Sequence, residues 1–229
     1  MYNNTVNLPT DHRAFTASAA SDPAAGSSAL LSTAYFGPVQ WYQKLNRYDT
    51  CLIERCDNFV KQTYRNRCVI ATASGQQKLT VPVEGTAGKG GKILERDVRI
   101  SDHGNWRHIH WNAIASAYGE SPFFEFYADD LRPFFENHWT YLFDFNWDIT
   151  LKMCELLDIR PHIVPTTEYA AEADNDYRDV IRPKHPGDDP TFRPEPYYQV
   201  FRQKKQAFVP NLSILDLLFN EGNEAVLYL

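Results

Sequence analysis

The chain has 229 residues, of which 43% are hydrophobic and 23% charged, with a formal net charge of -6. That length suits one domain with a sizeable core and is short for two. The negative balance excludes nucleic-acid binding driven by overall charge, although not a local basic site.

Residues 1–29 are rich in Ala, Ser, Thr and Asn without hydrophobic periodicity, so they are expected to form a disordered lead-in before a single domain over 30–229. Leu30–Phe36 reads as a strand closed by Gly37-Pro38, and Pro38 opens a helix through Lys44 and Leu45. A second strand follows near Cys51–Ile53, and this strand–helix–strand order predicts a parallel crossover. Arg67–Ala73 and Lys78–Val83, joined across Ser74-Gly75, read as a hairpin. After the glycine-rich stretch Gly85–Gly91, Ile93–Ile100 alternates with an imperfect period of two and is expected to be a strand with one wetter face.

Helices take over after Asp102. Trp106, Ile109, His110, Ala113, Ile114 and Ala117 recur at helical spacing. Ser121-Pro122 starts another helix, which Pro133 ends or kinks. Asn146 is expected to cap a further helix carrying Trp147, Leu151, Cys154 and Leu157. The segment 171–196 holds seven acids, four bases and five prolines and is expected to be a mobile acidic loop. Ser213-Ile-Leu-Asp216 matches a capping box ahead of Leu217, Leu218 and Phe219. The fold class that follows is α/β, a mixed sheet with flanking helices in one domain, with an α+β arrangement as the alternative.

No apolar run reaches the length of a membrane span, and no basic segment followed by an apolar stretch marks a secretory signal. Membrane insertion is therefore not expected, and the cytoplasm is the expected location. Cys51, Cys56, Cys68 and Cys154 have neither CxxC nor zinc-ligand spacing, so they are expected to be reduced and inert. No glycine-rich dinucleotide fingerprint, phosphate loop, nucleophile elbow or HExxH is present, and no cofactor or metal is expected.

Three features carry candidate chemistry. From Asn58 to Val83 there is no acid, while Lys61, Arg65, Arg67 and Lys78 supply four positive charges. Such an island suits a phosphate or carboxylate, with Arg65 and Arg67 as forks, Lys61 adding charge and Asn66 orienting a polar group. The competing explanation is that these bases pair with distant acids. His110, in line with Trp106 and Tyr118, is the candidate general base; a satisfied core histidine is the alternative. Eleven aromatic residues lie between Phe123 and Trp147, and Glu125 among them is a candidate proton donor, a solvated helix position being its alternative.

Laid side by side, the Lys61–Arg67 segment, Leu79-Thr-Val-Pro-Val83, the Trp106–Glu125 block and the ending Ala207–Gly222 resemble the WbqC-like protein family. The resemblance implies a place in bacterial surface-polysaccharide (O-antigen) gene clusters and carries over no catalytic residues. Its motif positions include Lys61, Arg65, Asn66, Arg67, Trp106, His110 and Glu125. Together these readings lead to an expected enzyme of glycan-precursor synthesis that binds an anionic nucleotide-linked or acyl-linked substrate and transfers a group. The rival is a non-catalytic scaffold using the aromatic belt as a partner surface.

Overall fold

Ser-Ala-Leu-Leu-Ser forms β1 (Ser28–Ser32), whose three central residues are buried. An apolar run with no polar alternation suits a strand covered on both faces. In the computed structural model, which describes residues 23, 26–85, 92–201 and 207–229, β1 pairs in parallel with β2 (Thr50–Glu54). The connection is the helix α1 (Val39–Arg47), as the crossover expectation required. Pro38 is its N-cap. Strand β1 begins two residues before the expected domain start; residues 1–22, 24 and 25 of the expected lead-in lie outside the described residues.

Strand β5 (His162–Pro165) continues the sheet beyond β2, again in parallel. On the other side of β1, a parallel bridge joins Leu30 to Asp176, with Leu30 N–H donating to the Asn175 carbonyl and Tyr177 N–H to the Leu30 carbonyl, both at 2.9 Å. The antiparallel pair is a separate sheet, the hairpin of β3 (Arg67–Thr72) and β4 (Gly75–Thr80). Parallel and antiparallel pairing therefore coexist in an α/β chain, in two small sheets. The expected strand over 93–100 is absent. Leu94, Arg99 and Ile100 make only isolated bridges, and a 3-10 turn occupies Glu95–Asp97. Its alternating pattern breaks because Glu95 turns into the interior.

The helical layer comprises α2 (Trp106–Tyr118), α3 (Phe124–Leu131), α4 (Pro133–Glu136) and α5 (Leu142–Leu156). Helix α5 starts five residues earlier than expected, so Asn146 is not a cap. It is fully buried inside the helix and donates from Nδ2 to the Arg65 carbonyl at 2.7 Å. Most of the aromatic belt is core: Phe134, Phe143 and Phe145 are buried, and Trp139 sits 5.0 Å from Phe145. None of the helices among the described residues is long and apolar enough to cross a membrane.

The last helix, α6 (Ile214–Glu221), buries seven of its eight residues. It docks on the β1–α1 loop through the Pro38–Ser213 bridge. Phe36 in that loop holds a φ of 40°, unusual for a bulky residue, while its ring stacks on Phe135 at 5.9 Å. Gly37 allows the tight loop, because a Cβ there would lie 2.9 Å from that of Ala34. Ser213 caps α6 as expected, accepting from Leu215 N–H at 3.4 Å, and its hydroxyl donates to the Phe36 carbonyl at 2.8 Å. Asp216 does not complete a capping box. Its carboxylate instead accepts from Tyr197 and Gln199 at 2.6 and 2.9 Å. Burial raises its pKa to about 6 despite those hydrogen bonds. Ser213→Ala removes both the cap and a side-chain donor to the buried Phe36 carbonyl, so denaturant unfolding is expected to show a loss of about 2 kcal/mol.

The acidic segment 171–196 contains no helix and no strand, yet it is not loosely attached. Tyr177, Arg178 and Ile181 are buried. Further on, the Asp189 carboxylate meets the Lys44 ammonium at 2.7 Å, with both side chains almost wholly enclosed. Gln40 donates to the same Asp189 oxygen at 2.7 Å, and Gln43 donates to the Arg193 carbonyl at 2.8 Å. The polar face of α1 is thus covered by this strap rather than by water. Composition alone predicts mobility here because it registers the missing aliphatics but not the matching polar face on α1.

Candidate functional site

The expected anion clamp is occupied by the protein itself. Arg65 lies just before β3 and is buried. Its guanidinium reaches Asp57 at 2.9 Å, Glu95 at 3.3 Å and the Ser32 hydroxyl at 3.1 Å. Arg65 therefore draws its countercharge from acids outside the acid-free stretch, as the competing explanation required, whereas Lys61, Arg67 and Lys78 make no ion pair among the described residues. Burial lifts the Glu95 carboxyl to about 8, although Arg65 pulls it down. Asn66 is buried and donates to the Val81 carbonyl at 3.0 Å. Arg67 is half-buried and donates to the Thr80 hydroxyl at 3.1 Å. Lys61 is exposed.

Arg65 also lines a narrow crevice with Ser32, Thr33, Arg178 and Arg182 at the carboxyl ends of the parallel strands. This is where open α/β sheets commonly bind ligands. Here it holds only about 10 Å³, room for one water. Its arginines are already engaged, with Arg178 bound to Asp176 at 2.6 Å and to Glu54 at 3.3 Å. The crevice is a closed ionic seam.

His110 belongs to the core. Its Nδ1 is 2.9 Å from the Tyr35 hydroxyl, and the Thr80 backbone provides a further hydrogen bond. Burial lowers its pKa to about 4, against the raising effect of that backbone contact. Trp106 is buried beside it, with ring centroids 5.1 Å apart and its indole N–H on the Ser101 carbonyl. Tyr118 is fully buried, its hydroxyl accepting from Ala71 N–H at 3.2 Å. Glu125 is exposed on α3, the solvated position that was its alternative. These residues do not converge on one cleft. Cys51, Cys68 and Cys154 are buried, and burial raises all three thiols, Cys51 and Cys154 to about 12. Cys56 is half-buried.

An open concave site with charged and aromatic lining lies elsewhere, along the outer face of α2 where it meets α4. It encloses about 530 Å³ and is lined by Asp102, Asn105, Arg107, His108, Trp111, Asn112, Arg132, Phe135, Glu136 and His138. That size is typical of small-molecule sites. Helical geometry builds one wall, since Arg107 and Trp111, and likewise His108 and Asn112, are four residues apart and share a face. His108 Nε2 and Asn112 Nδ2 are 2.8 Å apart. Arg107 is anchored by its stem, with its guanidinium 4.6 Å over the Trp106 ring and one amine donating to Asp102 at 2.6 Å. That hydrogen bond holds Asp102 below the ordinary carboxylate range. Arg132 lies 5.2 Å over the Trp111 ring and has no carboxylate partner among the described residues. His138 Nδ1 stands 3.5 Å from the same Asp102 oxygen that accepts from Arg107. At the start of α2, Asn105 is left-handed at φ 48° and no side chain caps the helix.

His108, two residues before His110 on α2, is exposed and lines this cleft. Sequence reasoning did not single out Arg107, Trp111, Arg132 or His138. The i, i+4 spacing on α2 was visible, but the contribution of α4 and the residues after it is tertiary.

The architecture defines an α/β protein with a small parallel sheet, a separate hairpin and a helical layer bearing a charged, aromatic cleft. The chain belongs to the WbqC-like protein family, whose model matches residues 33–183 and 189–228. It is also similar to the uncharacterized protein Rv1507c of Mycobacterium tuberculosis, at 29% identity over 225 residues, covering 88% of this chain and 96% of the relative. No solved structure matches it.

Proposed function

We propose that the protein binds an anionic small molecule in the α2–α4 cleft, as an enzyme of surface-glycan precursor synthesis that transfers a group. The observation that carries the binding is a pair of arginines in an open cleft of about 530 Å³: Arg107, whose carboxylate partner Asp102 is exposed, and Arg132, which has no carboxylate partner among the described residues. Arg65 cannot take that role while Asp57 and Glu95 hold it. His138, with Asp102 as its orienting carboxylate, replaces His110 as the side chain able to accept a proton from a substrate hydroxyl or amine. The glycan context rests on the family resemblance. A rival scaffold reading rests on Phe126 and Leu227, which are 71% and 73% exposed.

A thermal-shift screen against nucleotide sugars, sugar phosphates and acyl thioesters tests the proposal. A ligand at a hundred times its Kd stabilises by about 2.7 kcal/mol. Arg132→Gln, at an exposed position, is expected to abolish that shift without changing the melting temperature of the free protein. A shift that survives Arg132→Gln and disappears in Arg67→Gln would return the site to the Lys61–Arg67 segment. No shift with any anion favours the scaffold.

A further inference from the structure

We infer that the ligand of this cleft is a phosphorylated, hydroxylated ring, the chemistry shared by sugar phosphates and nucleotides. This rests on the binding proposal above and narrows it. The cleft, at about 530 Å³, greatly exceeds a bare oxyanion, so an organic body must fill it.

The cations are held in place before any ligand arrives. Arg107 has a side chain only 10% exposed, clamped between the Trp106 ring and the Asp102 carboxylate. It is a preorganised positive charge in the cleft lining. Arg132, at the start of α4, is held on the Trp111 ring. A phosphate offers enough oxygens to accept from both, and the uncapped start of α2 adds a favourable dipole end.

The remaining lining sets the rest of the ligand. Asp102 and Glu136 stand among the arginines. A polyanion without donors, such as a bare polyphosphate, meets repulsion from them, whereas ring hydroxyls donate to carboxylates and to the carbonyls of Asn105 and Asn112. Trp111, half-buried, and Phe135 offer apolar and aromatic surface for the ring itself. A fatty acid has nothing to give the two carboxylates.

Isothermal titration of the full chain with orthophosphate, acetate, glucose 1-phosphate, uridine monophosphate and uridine separates the possibilities. At least one of the two phosphorylated rings is expected to bind tenfold or more tightly than orthophosphate, and which one does so distinguishes the sources. Arg132→Gln is expected to remove that binding, and Trp111→Leu to bring the ring compound down to the level of orthophosphate. If Trp111→Leu fails to fold, since Trp111 packs on Phe124 and Phe135, Glu136→Gln serves instead and is expected to weaken the ring compound but not orthophosphate. Orthophosphate or acetate binding as tightly as either ring compound overturns the ring assignment and leaves the anion reading standing. Uridine binding as tightly as its monophosphate overturns the phosphate assignment. Absence of binding by every anion overturns both readings.

Discussion

Arg65→Ala is expected to destabilise the fold by about 3–5 kcal/mol, because it strips the partner from buried acids rather than from a ligand. The guanidinium ties Ser32 at the end of β1 to Asp57 after β2 and to Glu95 in the 3-10 turn. Glu95 is 1% exposed, and neither of its carboxylate oxygens has a hydrogen-bond donor among the described residues. Above about pH 8, where the folded Glu95 is ionised, loss of Arg65 leaves it a buried charge without its cation. Urea unfolding should show the loss, and above that pH adding Glu95→Gln should recover part of it by removing the stranded charge. An unchanged midpoint for Arg65→Ala would restore Arg65 as a candidate ligand-binding residue.

The same carboxyl makes a pH prediction whose sign is fixed. Glu95 has a folded pKa of about 8 against an ordinary 4.5, so the folded state holds a proton that the unfolded chain releases. Its contribution is fully present below 4.5 and is lost as pH rises through about 8. Glu95→Gln should flatten that decline, and the difference between the two stability–pH curves isolates this group from the other acids.

Asp189→Ala is expected to have an effect of the same size, about 3–5 kcal/mol, by a different route. It leaves the Lys44 ammonium with no carboxylate in a site where that side chain is 0% exposed. Burial lowers the Lys44 pKa, with Asp189 opposing it. Burial works against the Asp189 carboxylate as well, yet hydrogen bonds from Lys44, Gln40 and Thr191 bring its pKa below 3.8. Limited proteolysis adds a local readout: cleavage within 176–193 should accelerate in Asp189→Ala and return toward the parent rate in Lys44→Met/Asp189→Leu, where both charges are gone. Equal cleavage rates in parent and Asp189→Ala would mean that the pair does not anchor the strap.

Much of the local architecture was legible because local chemistry specifies it. Pro38, the apolar run before it and the second strand after it announced the crossover. Ser74-Gly75 announced the hairpin, and Ser213 announced α6. What escaped depends on partners far along the chain. Glu95 breaks a strand pattern because Arg65 is waiting for it, and Asn146 enters a helix interior because the Arg65 carbonyl needs a donor. The covered polar face of α1 looks solvent-facing until residues 189–193 are laid on it. The proposed cleft was illegible for the same reason. A run of uncompensated bases looks like an anion site in one dimension, whereas Arg107 and Arg132 become neighbours only when α2 packs on α4.

The docking of α6 also constrains the order in which the chain can fold. Val39 N–H donates to the Leu212 carbonyl at 3.0 Å, and Ile214 N–H to that of Gly37 at 2.9 Å. Contacts spanning so much sequence carry a large loop-closure cost and slow the approach to the transition state. During synthesis, the first crossover can form early, but the apolar surface of its loop stays uncovered until residues near 219 have left the ribosome. A nascent chain stalled before that point exposes Phe36 and the far side of the hairpin, surface of the kind that chaperones hold. Ribosome-bound chains ending near residue 200 should therefore be far more sensitive to protease than those ending beyond 229 with a linker.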